Sequence, residues 1–116
     1  MRNYRLYISD ILDCIIKINN FIGDMDFDAF LKNELVSSAV ILKIIIIGEA
    51  SKNVPEEIKI KYPEPPWKDM AAIRDKIAHC YFGIDFDIVW EVIKGQLPII
   101  EPQMEKILED LDKQIN

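Results

Sequence analysis

The residues of this chain best suited to chemistry lie in one run, Arg74-Asp75-Lys76-Ile77-Ala78-His79-Cys80-Tyr81. His79 is the only histidine. Arg74 is one of three arginines against eleven lysines, and the other two, Arg2 and Arg5, sit at the N-terminus. Imidazole titrates near neutrality and can take a proton from a ribose 2′-hydroxyl. A guanidinium keeps its charge, grips phosphate with two hydrogen bonds and stabilises the charge that builds during attack. Together they suit metal-free cleavage of RNA. Tyr81 adds a hydroxyl at the expected helix exit.

Spacing qualifies this pairing. On a regular helix, five residues put Arg74 and His79 about 140° apart. Asp75 and His79 are neighbours at four residues, and Arg74 and Tyr81 share a face at seven. One helix therefore does not focus Arg74 and His79 on a single point. Either the arginine wraps round, or the helix loosens near His79, or two copies of the helix meet at a symmetric interface. Asp75 would then hold the imidazole tautomer or align the arginine. By residue type alone, a lone His beside a Cys is more often structural. An Arg-Asp pair on a helix surface is most often solvated and of little energetic value.

Composition bounds the alternatives. The chain has 116 residues and a formal charge of −6, with half its residues hydrophobic. That suits one domain, 1–116, with its own core, although a chain this short profits from oligomerisation. One His and two Cys make a zinc site built from such residues hard to assemble. Cys14 and Cys80 have no disulfide framework around them. The acidic balance argues against a broad nucleic-acid coat. Asp10 and Asp13 interrupt any signal-peptide core, and the greasiest stretch, 35–47, is shorter than the ~20 residues of a membrane span. A reducing cytoplasm and no membrane partner are the expectation.

The apolar spacing is helical almost throughout. Tyr4, Ile8, Ile11, Ile15, Ile18 and Ile22 step by four and three along one face, with Gly23 as the stop. Asp26 can cap 27–32, which leads into a helix over 34–53 that is apolar round most of its circumference and so central, or buried by a second copy. Pro55 opens a short helix over 56–62, and Pro63-Glu64-Pro65-Pro66 breaks the chain. Trp67 to Cys80 forms the motif helix, and Asp85 caps 86–94. Gly95, Pro98 and Pro102 are expected to interrupt or kink the chain before a last amphipathic helix with Met104, Ile107, Leu108, Leu111 and Ile115. These elements predict an all-α antiparallel bundle of about five to six helices.

The motif resembles a known one. Arg74-x4-His79-x-Tyr81 is similar to the R-x4-H-x-Y motif of the HEPN superfamily in its HepT-like branch. Gly48-Glu49-Ala50, Pro66-Trp67, Tyr81-Phe82-Gly83-Ile84-Asp85 and Val89-Trp90 resemble that branch in order and spacing, over nearly the whole chain. Asp75 stands where relatives often carry Asn. The resemblance implies a homodimeric helical bundle whose Arg/His motifs meet in a cleft. It implies a toxin of a toxin–antitoxin pair, acting as an endoribonuclease that needs no metal or other cofactor. Its implied partner is a minimal nucleotidyltransferase antitoxin that silences it by transferring AMP to Tyr81. In that scheme Arg74 stabilises the scissile phosphate, His79 is general base or acid, and Asp75 orients one of them. Glu49 either supports the motif helix or caps its own surface. The rival readings are a non-catalytic HEPN subunit that presents substrate to the nucleotidyltransferase, and a scaffold with a vestigial motif.

Charge is distributed unevenly. Residues 59–79 carry Lys59, Lys61, Lys68, Arg74 and Lys76 against Glu64, Asp69 and Asp75, a balance of +2. Residues 101–116 carry a balance of −3. RNA binding is therefore expected to be narrow and centred on Arg74, leaving the acidic remainder for a protein partner.

Overall fold

The computed structural model describes residues 3–79 and 85–115, with the side chains of 78, 79, 114 and 115 outside that description. Among the described residues the regular structure is helical, with no strand. It comprises α1 (Tyr4–Ile22), α2 (Phe27–Lys32), α3 (Glu34–Asn53), α4 (Glu56–Lys61), α5 (Trp67–His79), α6 (Phe86–Glu91), a π-helical turn (Val92–Gln96) and α7 (Leu97–Ile115). The all-α reading holds, and no described helix is long and apolar enough to cross a membrane.

Local chemistry sets the boundaries. The Asn3 side chain accepts from the Arg5 amide at 3.0 Å and starts α1. Gly23 ends it at φ 52°, a left-handed conformation that glycine adopts without a Cβ penalty, and its N–H donates to the Asn19 carbonyl. Asp26 accepts from the Ala29 amide at 2.8 Å and starts α2. Asn33 closes α2 and also caps α3, accepting from the Val36 amide at 3.0 Å. Asp85 accepts from the Asp87 amide and starts α6.

The α1 stripe is buried as its spacing predicts: Ile8, Ile11, Ile15, Ile18 and Ile22 all face the core, joined by Cys14. They meet Val40, Ile44 and Ile47 of α3, Met70, Ile73 and Ile77 of α5, and Leu97, Ile100 and Met104 of α7 in one hydrophobic cluster. Helix α3 packs extensively against both α1 and α5, and α1 also packs on α7. The central position read from the composition of α3 is therefore correct. Its far side is open, with Leu35 82% and Leu42 55% exposed.

The Gly95–Pro102 region differs from the sequence expectation. The chain does not break there; α6 runs through the π-helical turn directly into α7, which contains Pro102. The Leu97 N–H donates to the Val92 carbonyl, five residues back. The wider ring makes room where the Pro98 ring would meet the carbonyl four residues earlier.

Candidate active site

Helices α3 and α5 bring the site together. Gly48 lies where the two touch. A Cβ added there would stand 3.1 Å from the Arg74 Cβ, 3.3 Å from the Arg74 amide nitrogen and 3.4 Å from the Met70 carbonyl oxygen. Even a methyl group there would require α5 to give by a few tenths of an ångström. The glycine therefore sets the distance between α5 and the residue that follows it on α3, Glu49.

That distance allows an ion pair. The Arg74 Nε lies 2.8 Å from the Glu49 Oε1. The Asp75 Oδ1 is 4.0 Å from a terminal nitrogen of the same guanidinium. Lys52, one turn beyond Glu49, reaches 3.9 Å from Glu49 and 3.8 Å from Asp75. Two cations and two carboxylates thus form a formally neutral cluster. All four side chains are partly open to water, with Arg74 47% exposed. Glu49 holds the guanidinium by its inner nitrogen, which leaves the outer nitrogens for a further anion.

Of the residues expected from the sequence, the structure brings Arg74, Asp75 and Glu49 together. It resolves the choice for Glu49, which approaches the motif helix and does not merely cap its own surface. The His79 backbone is the last described position of α5, but its side chain lies outside the described residues, as do Tyr81 and Cys80. Lys52 escaped the sequence reading; its i,i+3 spacing from Glu49 was the available signal, but its contact with Asp75 depends on packing between helices.

The residues flanking the motif prove architectural. The Trp67 Nε1 donates to the Tyr62 carbonyl at 2.8 Å across the Pro-rich turn, which fixes where α5 begins. Trp90 lies 5.3 Å from Phe30 and 5.7 Å from Phe27, ring centre to ring centre, and joins α6 to α2. The Lys94 Nζ sits 5.1 Å above the Trp90 ring.

Comparison with known proteins adds the decisive observation. The family model described as "Ribonuclease HepT-like" matches residues 11–107, from α1 into α7 and across the whole site. The chain belongs to the ribonuclease HepT-like family. Two relatives come from Methanocaldococcus jannaschii. "Putative RNase MJ0125" is 42% identical over 97% of each chain. "Putative RNase MJ0127" is 41% identical over 96% of this chain and 92% of the relative. "Probable ribonuclease HepT" of Thermococcus cleftensis is 40% identical over 91% of this chain and 96% of its own. No solved structure matches.

Proposed function

We propose that this HepT-like chain is the toxin of a toxin–antitoxin pair, an endoribonuclease that cuts without a metal ion. The observation that carries the reading is the Arg74–Glu49 contact at 2.8 Å over Gly48, in a chain of this family. It holds a guanidinium at the surface by its inner nitrogen, with Asp75 4.0 Å from one outer nitrogen, which leaves donors able to reach a scissile phosphate.

The residue roles follow. His79 takes the proton of a ribose 2′-hydroxyl. The 2′-oxygen attacks the adjacent phosphorus, the bond to the 5′-oxygen breaks, and that oxygen takes up a proton. The products are a 2′,3′-cyclic phosphate and a 5′-hydroxyl. Arg74 stabilises the charge on the phosphoryl oxygens, Glu49 positions Arg74, and Asp75 orients Arg74 or His79. A second copy of the chain brings a second Arg74 and His79 to the same cleft, which removes the 140° obstacle within one helix. The open stripe of α3, with Leu35 and Leu42, leads along the helix toward Glu49 and supports such pairing. The antitoxin is a minimal nucleotidyltransferase that joins AMP from ATP to the Tyr81 hydroxyl and releases pyrophosphate. The added phosphate and adenine would occupy Arg74 and fill the cleft.

The test has two arms. Purified protein should cut RNA in the presence of EDTA, and loss of cutting on chelation sinks the metal-free step. Co-expression with an adjacent nucleotidyltransferase should raise the intact mass by one or more AMP groups. No rise, or one that persists in Tyr81→Phe, removes the switch. Retained binding of the nucleotidyltransferase with no cleavage under any condition would favour the non-catalytic subunit.

A further inference from the structure

A second feature of α5 lies outside the Arg74 cluster. Helices α4 and α5 enclose an open groove of about 650 Å3. Its floor is apolar, made by Pro63, Trp67 and Ala71, and Ile60 stands beside it 72% exposed. Lys59 and Lys68 line it from opposite helices, and Glu56 is its single acidic lining residue.

Three observations bear on its occupant. The first is register. Trp67, Ala71 and Arg74 are spaced four and three apart, so the α5 wall of the groove continues along one face into the Arg74 cluster. Lys68 precedes Arg74 by six residues, about 9 Å along the axis. The second is pairing. Arg74 and Lys52 are already engaged by Glu49 and Asp75. Among the described residues, neither Lys59 nor Lys68 has an ion-pair partner. The third is charge. The groove's charged lining residues are Lys59, Lys68 and Glu56, a balance of +1 in a chain of −6. A neutral Arg74 cluster is poorly equipped to attract a polyanion by itself; Lys68, about 120° round α5 from Arg74, and Lys59 across the groove on α4 add positive charge beside it.

We propose that the α4–α5 groove binds the RNA strand beside the cleavage point, with Lys59 and Lys68 on the phosphates that flank the one at Arg74. This rests on the ribonuclease reading and extends it, because the strand leaves the Arg74 cleft along α5 toward the Pro-rich turn. Apart from the Glu56 carboxylate, the groove offers ammonium groups and an apolar floor, with no set of base-reading hydrogen bonds. Its contribution is therefore electrostatic and insensitive to sequence.

The test uses the full chain and a labelled 2′-O-methyl oligoribonucleotide, whose blocked 2′-oxygen prevents cleavage. Binding is followed by fluorescence anisotropy over a salt series. The double variant Lys59→Ala/Lys68→Ala should bind roughly tenfold more weakly at low salt, with its log–log salt slope shallower by roughly 1.4. Lys59→Glu/Lys68→Glu should bind more weakly still. Lys106→Ala/Lys113→Ala, on the acidic final helix, should match the wild type. Thermal melting of each variant separates loss of binding from loss of fold. If the wild type cuts RNA and the double alanine variant keeps both its affinity and its slope, the groove inference alone is overturned. If the wild type neither binds nor cuts RNA, the ribonuclease reading falls and takes the groove with it. If the lysine variants keep RNA binding but lose a co-purifying nucleotidyltransferase, the groove faces protein and the inference is overturned.

Discussion

Arg5 and Arg74 form nearly the same contact in two different regions. Arg5 meets Asp112 through Nε at 2.9 Å and Arg74 meets Glu49 through Nε at 2.8 Å. Both pairs are partly open to solvent. What differs is the scaffold. Arg5 joins the start of α1 to the last turns of α7 in a region where Asn19 also donates to Glu101, and Tyr62 to Asp110. These side chains reach across a packed surface, and the helices would meet without them. Arg74 stands over Gly48, where helix backbones come close enough that a methyl group does not fit freely. An ion pair alone marks nothing; one whose distance is set by backbone packing holds a guanidinium in a fixed place.

The comparison can be broken in four ways. The largest effect is expected from Arg74→Ala, which should lower RNA cleavage by roughly 10² to 10³-fold, while Arg5→Ala cuts at the wild-type rate. Similar losses in both would mean that the two arginines act only through the fold. Next is Gly48→Ala. Alanine favours the helix by about 1 kcal/mol, but overpacking costs about 1–3 kcal/mol. A net loss in urea midpoint, with weaker cleavage, is expected, and an alanine variant as stable and active as wild type would remove Gly48 from the argument.

Glu49→Gln should be milder. It keeps the size of the side chain and removes the charge that holds Arg74, so cleavage should drop severalfold. In a double-mutant cycle the Glu49→Gln effect should vanish in the Arg74→Ala background; full additivity would show that Glu49 acts elsewhere. The smallest effect concerns the α7 region. Burial, then the hydrogen bond to Asp110, pushes the Tyr62 hydroxyl above its ordinary pKa of 10.0. Burial likewise raises the Cys14 thiol above 9.0. Both folded pKa values exceed the unfolded ones, so their contribution is complete below about pH 9 and is lost as pH rises through the folded values. Tyr62→Phe should flatten the alkaline decline in stability, and an unchanged decline would exclude Tyr62 as its source.

Much of the frame is legible in the sequence. The isoleucine stripe of α1, its glycine stop, and the Asp26 and Asp85 caps depend on neighbours within a few residues, and local chemistry settles them. Arg74 and Asp75 were legible as candidates for the same reason. Glu49 was legible only through resemblance, and Lys52 not at all. Their meeting depends on how α3 and α5 are offset, and the methyl-scale fit at Gly48 sets that offset. The Gly95–Pro98 stretch failed in the opposite sense. Its residues are breakers locally, but the apolar faces on either side, Val89 to Ile93 and Leu97 to Met104, both belong in the core and keep the chain helical across them.

The turn at Val92–Gln96 also constrains chain length. Its ring is one residue larger than that of the flanking helix, so it behaves as an insertion stored inside a helix. Removing one residue there would turn the five-residue step from Val92 to Leu97 into an ordinary four-residue step. The two apolar faces would stay in phase, but Pro98 would then sit deep inside a regular helix. A single-residue deletion should therefore be better tolerated when Pro98 is also replaced, so that Pro102 remains the one proline inside the helix.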